Sequence, residues 1–348
     1  MDLLVQQYAE RIRAAAASKS PLRIRAGGTK DFYGHALAGD VLDVSGWQGV
    51  VEYEPTELVI TARAGTPLAQ IEGTLAQRGQ MLACEPPHFG ASATLGGCVA
   101  AGFSGPRRAA AGSVRDFVLG TRVMNGQGEE LRFGGTVMKN VAGFDVSRLM
   151  AGSFGTLGLL LEVSLKVLPR PDQEATLRFA MNEAKAIEIM NRWAGHPLPI
   201  SATCFTDGAL TVRVSGSRLA VKAACDKLGG DPVADSADFW HSIREQTLPA
   251  FQGRLWRLSI KSTTPPLNLP GRQVIEWNGG LRWLATDAPA EQVFEAARRA
   301  GGHATLFRGA RDEPIMRLEP GVLALHRKLK AALDPQGIFG PRRLAPEF

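Results

Sequence analysis

Three glycine-rich segments crowd the N-terminal half of the chain: Arg25-Ala26-Gly27-Gly28-Thr29-Lys30, Ala93-Thr94-Leu95-Gly96-Gly97-Cys98 and Gly152-Ser153-Phe154-Gly155-Thr156-Leu157-Gly158. Glycine adopts φ > 0 freely and lets backbone N–H groups come close to a ligand. Successive N–H groups of this kind form concave nests for phosphate oxygens. One such loop is compatible with a tight turn. Three together predict a fold in which a pyrophosphate is gripped from two loops. Gly102, Gly105 and Gly112 extend the second segment, and 81–116 reads as one long loop-like stretch rich in Gly, Ala, Ser and Pro. A stretch that long inside a compact domain usually carries function.

Other phosphate-binding or catalytic loops do not fit. No GxGxxG follows the first strand, and there is no Gly-Lys-Ser or Gly-Lys-Thr, so neither a Rossmann nor a Walker loop is signalled. GxSxG is absent, which removes the hydrolase elbow. His35, His88, His196, His241, His303 and His326 form no HExxH or close pair, so they read as surface or structural rather than metal ligands. Cys84, Cys98, Cys204 and Cys225 form no CxxC, which points to reduced thiols in a cytosolic protein. The formal charge of +6 is modest for 348 residues and comes without the aromatic-basic interleaving of nucleic-acid modules. Small basic clusters stand at Arg107-Arg108, His326-Arg327-Lys328 and Arg342-Arg343. The start lacks the basic region of a signal peptide, and no run of about 20 apolar residues exists to span a membrane.

The pattern of elements predicts two domains and a returning tail, split as 1–170, 171–317 and 318–348. Residues 3–17 read as an amphipathic helix with Leu4, Tyr8 and Ile12 on one stripe. A short strand in PLRIRAGGTKDFYG runs into a glycine loop, further strands follow at 41–47, 49–55 and in ELVITARAGTP (57–67), then a helix over 67–78 opened by Pro67. Asn125-Gly126 predicts a hairpin, and 157–171 a strongly apolar strand stopped by Pro169 and Pro171. Beyond Pro171, TLRFAM, a helix at 183–194, ATCFTDGALTVRVSG, a helix at 217–228 and GRLWRLSIKST give a β-α-β-β-α-β order, a ferredoxin-like α+β layer. RQVIEWNGGLRWLAT, a helix at 289–300 and ATLFRG form a second such run, and 320–335 is a last helix.

RIRAGGTKDFYG, ATLGGCVAAGFSGPRRAAAGSVRDFVLGTRVMNGQGE and MKNVAGFDVSRLMAGSFGTLGLLLEVSLKVLPRP resemble the flavin domain of the vanillyl-alcohol-oxidase/PCMH superfamily. With WNGGLRWL, GGHATLFRG and LDPQGIFGPRRL, nearly the whole chain is similar to the FAD-binding E-subunit family of bacterial glycolate oxidase (glycolate dehydrogenase). The resemblance implies an α+β protein: a PCMH-type two-subdomain FAD-binding fold followed by a ferredoxin-like cap domain. It implies that Ala26, Gly27, Gly28 and Thr29 form the first pyrophosphate loop and that Thr94, Gly96 and Gly97 fall on the second. Val118 falls where the family's backbone meets the cofactor, and Gly155, Gly158, Leu159 and Val163 beside the flavin ring and adenosine. Relatives with covalent flavin often carry His where Thr29 stands, so the resemblance implies non-covalent FAD. His35, past the Asp31-Phe32-Tyr33 turn, does not take that place. Two further departures are Phe154, where relatives often have an acid, and Phe339-Gly340-Pro341-Arg342, where they often read Asn-Pro-Gly.

Oxidising a 2-hydroxy acid needs a cation for the carboxylate and a base for the hydroxyl proton. Arg107, Arg108 and Lys139 are candidates for the first, and His303, alone in GGHATLF, for the second; no metal-binding set is found. The resemblance therefore implies a flavoprotein subunit working with a paralogous FAD-containing subunit and an iron–sulfur subunit, cytoplasmic and reaching the inner membrane through them. The alternatives are an assembly subunit whose flavin is structural or absent, and a free-standing FAD dehydrogenase, against which the missing base argues.

Overall fold

The computed structural model describes residues 2–136, 145–310 and 315–347. In chain order it holds α1 (Leu3–Ser18), β1 (Leu22–Arg25), β2 (Asp40–Asp43), β3 (Val50–Glu54), β4 (Val59–Arg63), α2 (Leu68–Ala76), β5 (Gln80–Met81) and α3 (Leu95–Ala101). Then come α4 (Arg108–Ala111), α5 (Val114–Phe117), β6 (Val118–Met124), β7 (Glu130–Gly134), α6 (Val146–Leu149), β8 (Leu159–Lys166) and β9 (Leu168–Pro169). The remainder runs β10 (Gln173–Ala180), α7 (Glu183–Ala194), β11 (Ile200–Thr206), β12 (Ala209–Gly216), α8 (Arg218–Leu228), β13 (Asp231–Pro232) and α9 (Ala237–Glu245). It closes with β14 (Leu255–Ser259), β15 (Arg272–Glu276), β16 (Leu281–Ala285), α10 (Ala290–Arg299), β17 (His303–Arg308) and α11 (Pro320–Leu333).

Backbone proximity divides these elements into two units. The first combines Met1–Phe103, Ser113–Pro169 and Leu318–Phe348; the second combines Ser104–Gly112 with Arg170–Arg317.

In the first unit, β1 and β2 pair in parallel, and Phe339 bridges alongside Leu22. A five-stranded antiparallel sheet has the order β3-β4-β8-β6-β7. Helix α1 starts at Asp2, whose carboxylate accepts from Leu4 N (3.2 Å), and ends at Lys19 with φ 53°. It buries Val5, Tyr8 and Ile12 against Leu22, Leu42, Trp47, Leu161 and Phe339. Side chains from both ends of the chain thus complete one core.

The second unit is an eight-stranded antiparallel sheet of order β13-β10-β12-β11-β15-β16-β14-β17. Its first half, β10-α7-β11-β12-α8-β13, has the ferredoxin-like order. Its second half, from β14 to β17, repeats that strand order with irregular chain at 260–271 where a first helix would stand. Helices α7 and α8 are opened by Asn182, accepting from Lys185 N (2.9 Å), and Ser217, accepting from Ala220 N (3.3 Å). Ala186, Ile187 and Met190 of α7 pack on Phe205, Leu210, Val212 and Ile275, and Val293, Phe294 and Ala297 of α10 on Trp256, Leu258 and Leu306.

Three expectations about elements change. GRLWRLSIKST is β14, which opens the second run; the strand that closes the first is β13, only two residues long and ending in Pro232. Helix α9 has no counterpart in the sequence reading. And 81–116 is not one loop: it contains α3, α4 and the start of α5. These helices are only four to seven residues long and show no long apolar stripe, yet Leu95, Cys98 and Val99 are buried.

Candidate functional site: a pocket between glycine loops

The first glycine loop leaves β1 and turns at Gly28, where φ is +68°. Gly27 lies against a second loop: a methyl group built on it would sit 1.6 Å from Ser92 O. Ser92 Oγ donates to Gly27 O at 2.9 Å, fixing that approach. Among the described residues, the N–H groups of Gly27, Gly28 and Thr29 donate to no protein acceptor. Three undonated N–H groups in a row, on residues that line one pocket, form a nest suited to an anionic ligand. Lys30, itself buried, donates to Thr29 Oγ1 (3.1 Å) and His88 O (3.0 Å). Arg25 is held by Asp31 (2.9 Å), and its guanidinium lies over Gly28.

The second loop works differently. Leu95 N donates to Thr66 O (2.9 Å), Gly96 N to Ala64 O (2.7 Å) and Gly97 N to the cap Thr94 Oγ1 (3.2 Å). Its donors are therefore already used. Its glycines supply closeness instead: a methyl on Gly96 would come 2.6 Å from Ala64 Cβ. In the third segment, Phe154 holds φ +50° and stacks on Tyr33 with ring centroids 4.7 Å apart, and Gly155 holds φ +73°.

These loops enclose one pocket. Ala26, Gly27, Gly28, Thr29, Thr94, Gly96, Gly97, Gly155, Gly158 and Leu159 all line it. Val118 and Val163 do not. Val163 lies four residues beyond Leu159 on β8, about 13 Å along the strand, and Val118 pairs with Leu165, further still. Both are buried in the sheet.

The pocket also has walls that sequence reasoning missed: Arg23, Lys30, Phe154, Gly340 and Arg343. Arg23 Nε is buried with no hydrogen-bond partner. Arg343, noted in sequence only as half of a basic pair, donates to His35 O (3.1 Å) and Lys30 O (3.2 Å). An orphaned guanidinium nitrogen, three undonated N–H groups and nearby cations fit a pyrophosphate dianion followed by apolar surface. This donor set matches FAD.

The candidates for catalysis lie elsewhere. Arg107 and Arg108 belong to the second unit, where Arg107 pairs with Glu174 and Arg108 stacks 4.3 Å from the Trp277 ring centroid. Trp277 Nε1 donates to Gly105 O (3.1 Å), so the Ser104–Gly112 segment, expected within 1–170, is fastened to the second unit. His303 opens β17, its pKa lowered by burial and then by the neighbouring charge of Arg257. None of the three lines the pocket. Lys139 lies outside the described residues. The four cysteines are free thiols; burial pushes Cys98 up to about 12 and raises Cys84, which disarms both as nucleophiles. Among the described residues, no group of three His, Cys, Asp or Glu could hold a metal, and no helix is long and apolar enough to cross a membrane.

Residues 5–134 match the family model described as FAD binding domain. Over 345 residues the chain is 50% identical to glycolate oxidase subunit GlcE of Escherichia coli (strain K12), covering 99% of this chain and 98% of that protein. The chain belongs to the GlcE family of glycolate oxidase subunits. It is an FAD-linked flavoprotein of the oxidoreductase class, and FAD is its cofactor. Glycolate oxidase subunit GlcD of Bacillus subtilis (strain 168) is 32% identical over 128 residues, 37% of this chain and 27% of that protein. Among solved structures, p-cresol methylhydroxylase with substrate bound matches at TM-score 0.71 and 14% identity, over 99% of this chain and 88% of that one. That likeness establishes the PCMH-type fold.

Proposed function

We propose that this chain is the FAD-holding subunit of a glycolate oxidase complex that oxidises glycolate, a 2-hydroxy acid, to glyoxylate, its electrons leaving through the flavin to partner subunits. The partners are a paralogous FAD-containing subunit and an iron–sulfur subunit. Residues 1–170 carry the FAD, 171–317 act as a cap and 318–348 return to the flavin unit.

The observation that carries this reading is the pocket whose first loop offers undonated N–H groups at Gly27, Gly28 and Thr29 beside the orphaned Arg23 Nε. FAD, held non-covalently, supplies hydride acceptance and onward electron release. The protein supplies placement. The three N–H groups would hold the pyrophosphate, Arg23 and Arg25 would balance its charge, and Gly96 and Gly97 would let the ligand lie against backbone. Phe154 lines the pocket and is backed by the stacked ring of Tyr33.

A second reading, an assembly subunit whose flavin is structural or absent, is favoured by the engagement of Arg107 with Glu174 and of Arg108 with Trp277. Of the three candidate cations for a substrate carboxylate, these two are committed to structure.

The test begins with the absorbance spectrum of the purified chain and acid precipitation. Flavin bands released into the supernatant are expected. Glycolate is then added to the chain alone and to the chain with its partner subunits. Bleaching only with partners supports the complex. Bleaching of the isolated chain overturns the multi-subunit reading, and a chain that stays colourless after FAD is added leaves the assembly role.

A further inference from the structure

Two buried residues near the C-terminal end of the sequence lie behind the pocket wall without lining it. Lys330, in the last turn of α11, is 8% exposed, and Asp334 is 1% exposed. Lys330 Nζ donates to Asp334 Oδ2 (2.7 Å), Thr156 O (2.6 Å) and Phe339 O (2.6 Å). Asp334 in turn accepts from Ile338 N (3.1 Å) and Phe339 N (2.8 Å). Two of these partners adjoin residues that line the pocket: Thr156 follows Gly155, and Phe339 precedes Gly340. Two of the three ammonium protons and both carboxylate oxygens are spent within one strap, residues 334–343, and the third proton ties that strap to Thr156 O. The strap is then fastened along β1, Leu22 N donating to Ile338 O (2.7 Å) and Gly340 N to Leu22 O (3.0 Å). Gly126 leaves the space: a methyl there would lie 2.5 Å from Asp334 Oδ1.

Burying an ion pair is a poor way to gain stability, because desolvation consumes most of the attraction. Burial lowers the pKa of Lys330 even against the pull of Asp334. The pair does something apolar side chains could not: it fixes two backbone carbonyls and two N–H groups from separate segments in one arrangement.

We propose that Lys330 and Asp334 form a positioning latch that seats the C-terminal strap as a wall of the FAD pocket, so that cofactor retention depends on a pair that never contacts the cofactor. This rests on the reading of the glycine-loop pocket as the FAD site. By linkage, if the seated strap binds FAD better than the open one, FAD must hold the strap shut.

The test uses the full chain. Asp334→Asn and Lys330→Met are compared with wild type for FAD affinity by flavin fluorescence, and for folding without FAD by circular dichroism and melting. Folded variants are expected to bind FAD at least about tenfold more weakly. A purely structural pair would lower the apo melting temperature and leave the affinity of the folded protein unchanged, which overturns the proposal. Should both variants fail to fold, hydrogen exchange on the wild type decides. FAD is expected to slow exchange at Ile338, Phe339 and Gly340, and unchanged exchange there overturns the latch. Gly27→Ala separates the two readings. If it loses FAD while the latch variants keep it, the latch alone falls. If it keeps FAD too, the pocket assignment falls with it.

Discussion

At Gly27 the space is so limited that one methyl group decides the outcome. Its Cβ position is 1.6 Å from Ser92 O, a backbone atom that cannot swing aside. Gly27→Ala must therefore push the first loop away from the second, pulling the N–H groups of Gly28 and Thr29 off a common target. The expected result is a loss of FAD affinity of at least about tenfold, read by flavin fluorescence, with the fold retained by circular dichroism. Gly73 provides the contrast. It is exposed in the middle of α2, with nothing within 4 Å of an added methyl. Gly73→Ala should stabilise the protein by about 0.5–1 kcal/mol and leave FAD binding alone. Equal FAD loss in both variants would show that binding follows general stability rather than loop contact. The same contrast explains what was visible in the sequence. A glycine cluster is legible because few other residues take its backbone angles. The guanidinium of Arg343 was not, because the carbonyls it serves, on Lys30 and His35, lie 313 and 308 residues away.

Short elements were read less well than long ones, for a physical reason. Strands β10 to β12 and helices α7, α8 and α10 have periodic apolar faces that a sequence displays directly. The segment 104–112 has none; it is fixed by Trp277 holding Gly105 O and by Glu174 holding Arg107, partners at least 67 positions away. That fastening carries its own pH signature. Burial pushes the Glu174 carboxyl upward, but Arg213, the Ser215 hydroxyl and Arg107 outweigh it and hold the pKa below the ordinary 4.5. A lowered carboxylate pKa contributes stability that is present above the unfolded value and is lost as pH falls through the folded one. Acid should thus loosen 104–112 as pH drops below about 4.5. Glu174→Gln should weaken the segment at neutral pH and flatten that acid dependence. Hydrogen exchange over 104–112 as a function of pH checks both, and an acid limb that persists in Glu174→Gln would assign the effect to another group.

For the molecule as a whole, the PCMH-type fold is legible only through resemblance, in long matching segments, whereas the ferredoxin-like second sheet follows from the alternation of strand and helix patterns. The pocket's cationic and C-terminal walls depend on how distant segments fold together, and no local pattern announces them. The ligand then becomes part of the fold's energetics. The loop donors of Gly27, Gly28 and Thr29 lack protein partners, and the buried Arg23 Nε is costly to leave unpaired. FAD should satisfy them and stabilise the native state by mass action, about 2.7 kcal/mol at a free concentration 100 times Kd. For a unit of this size that corresponds to a rise in Tm of roughly 5–11 °C. ADP, which keeps the pyrophosphate and lacks the flavin, should reproduce part of the rise, because the polar half of the pocket reads phosphate. Thermal melts with FAD, ADP and riboflavin rank the contributions. A rise with riboflavin and none with ADP would mean that the glycine loops do not grip the pyrophosphate, and the first loop would need another explanation for its undonated N–H groups.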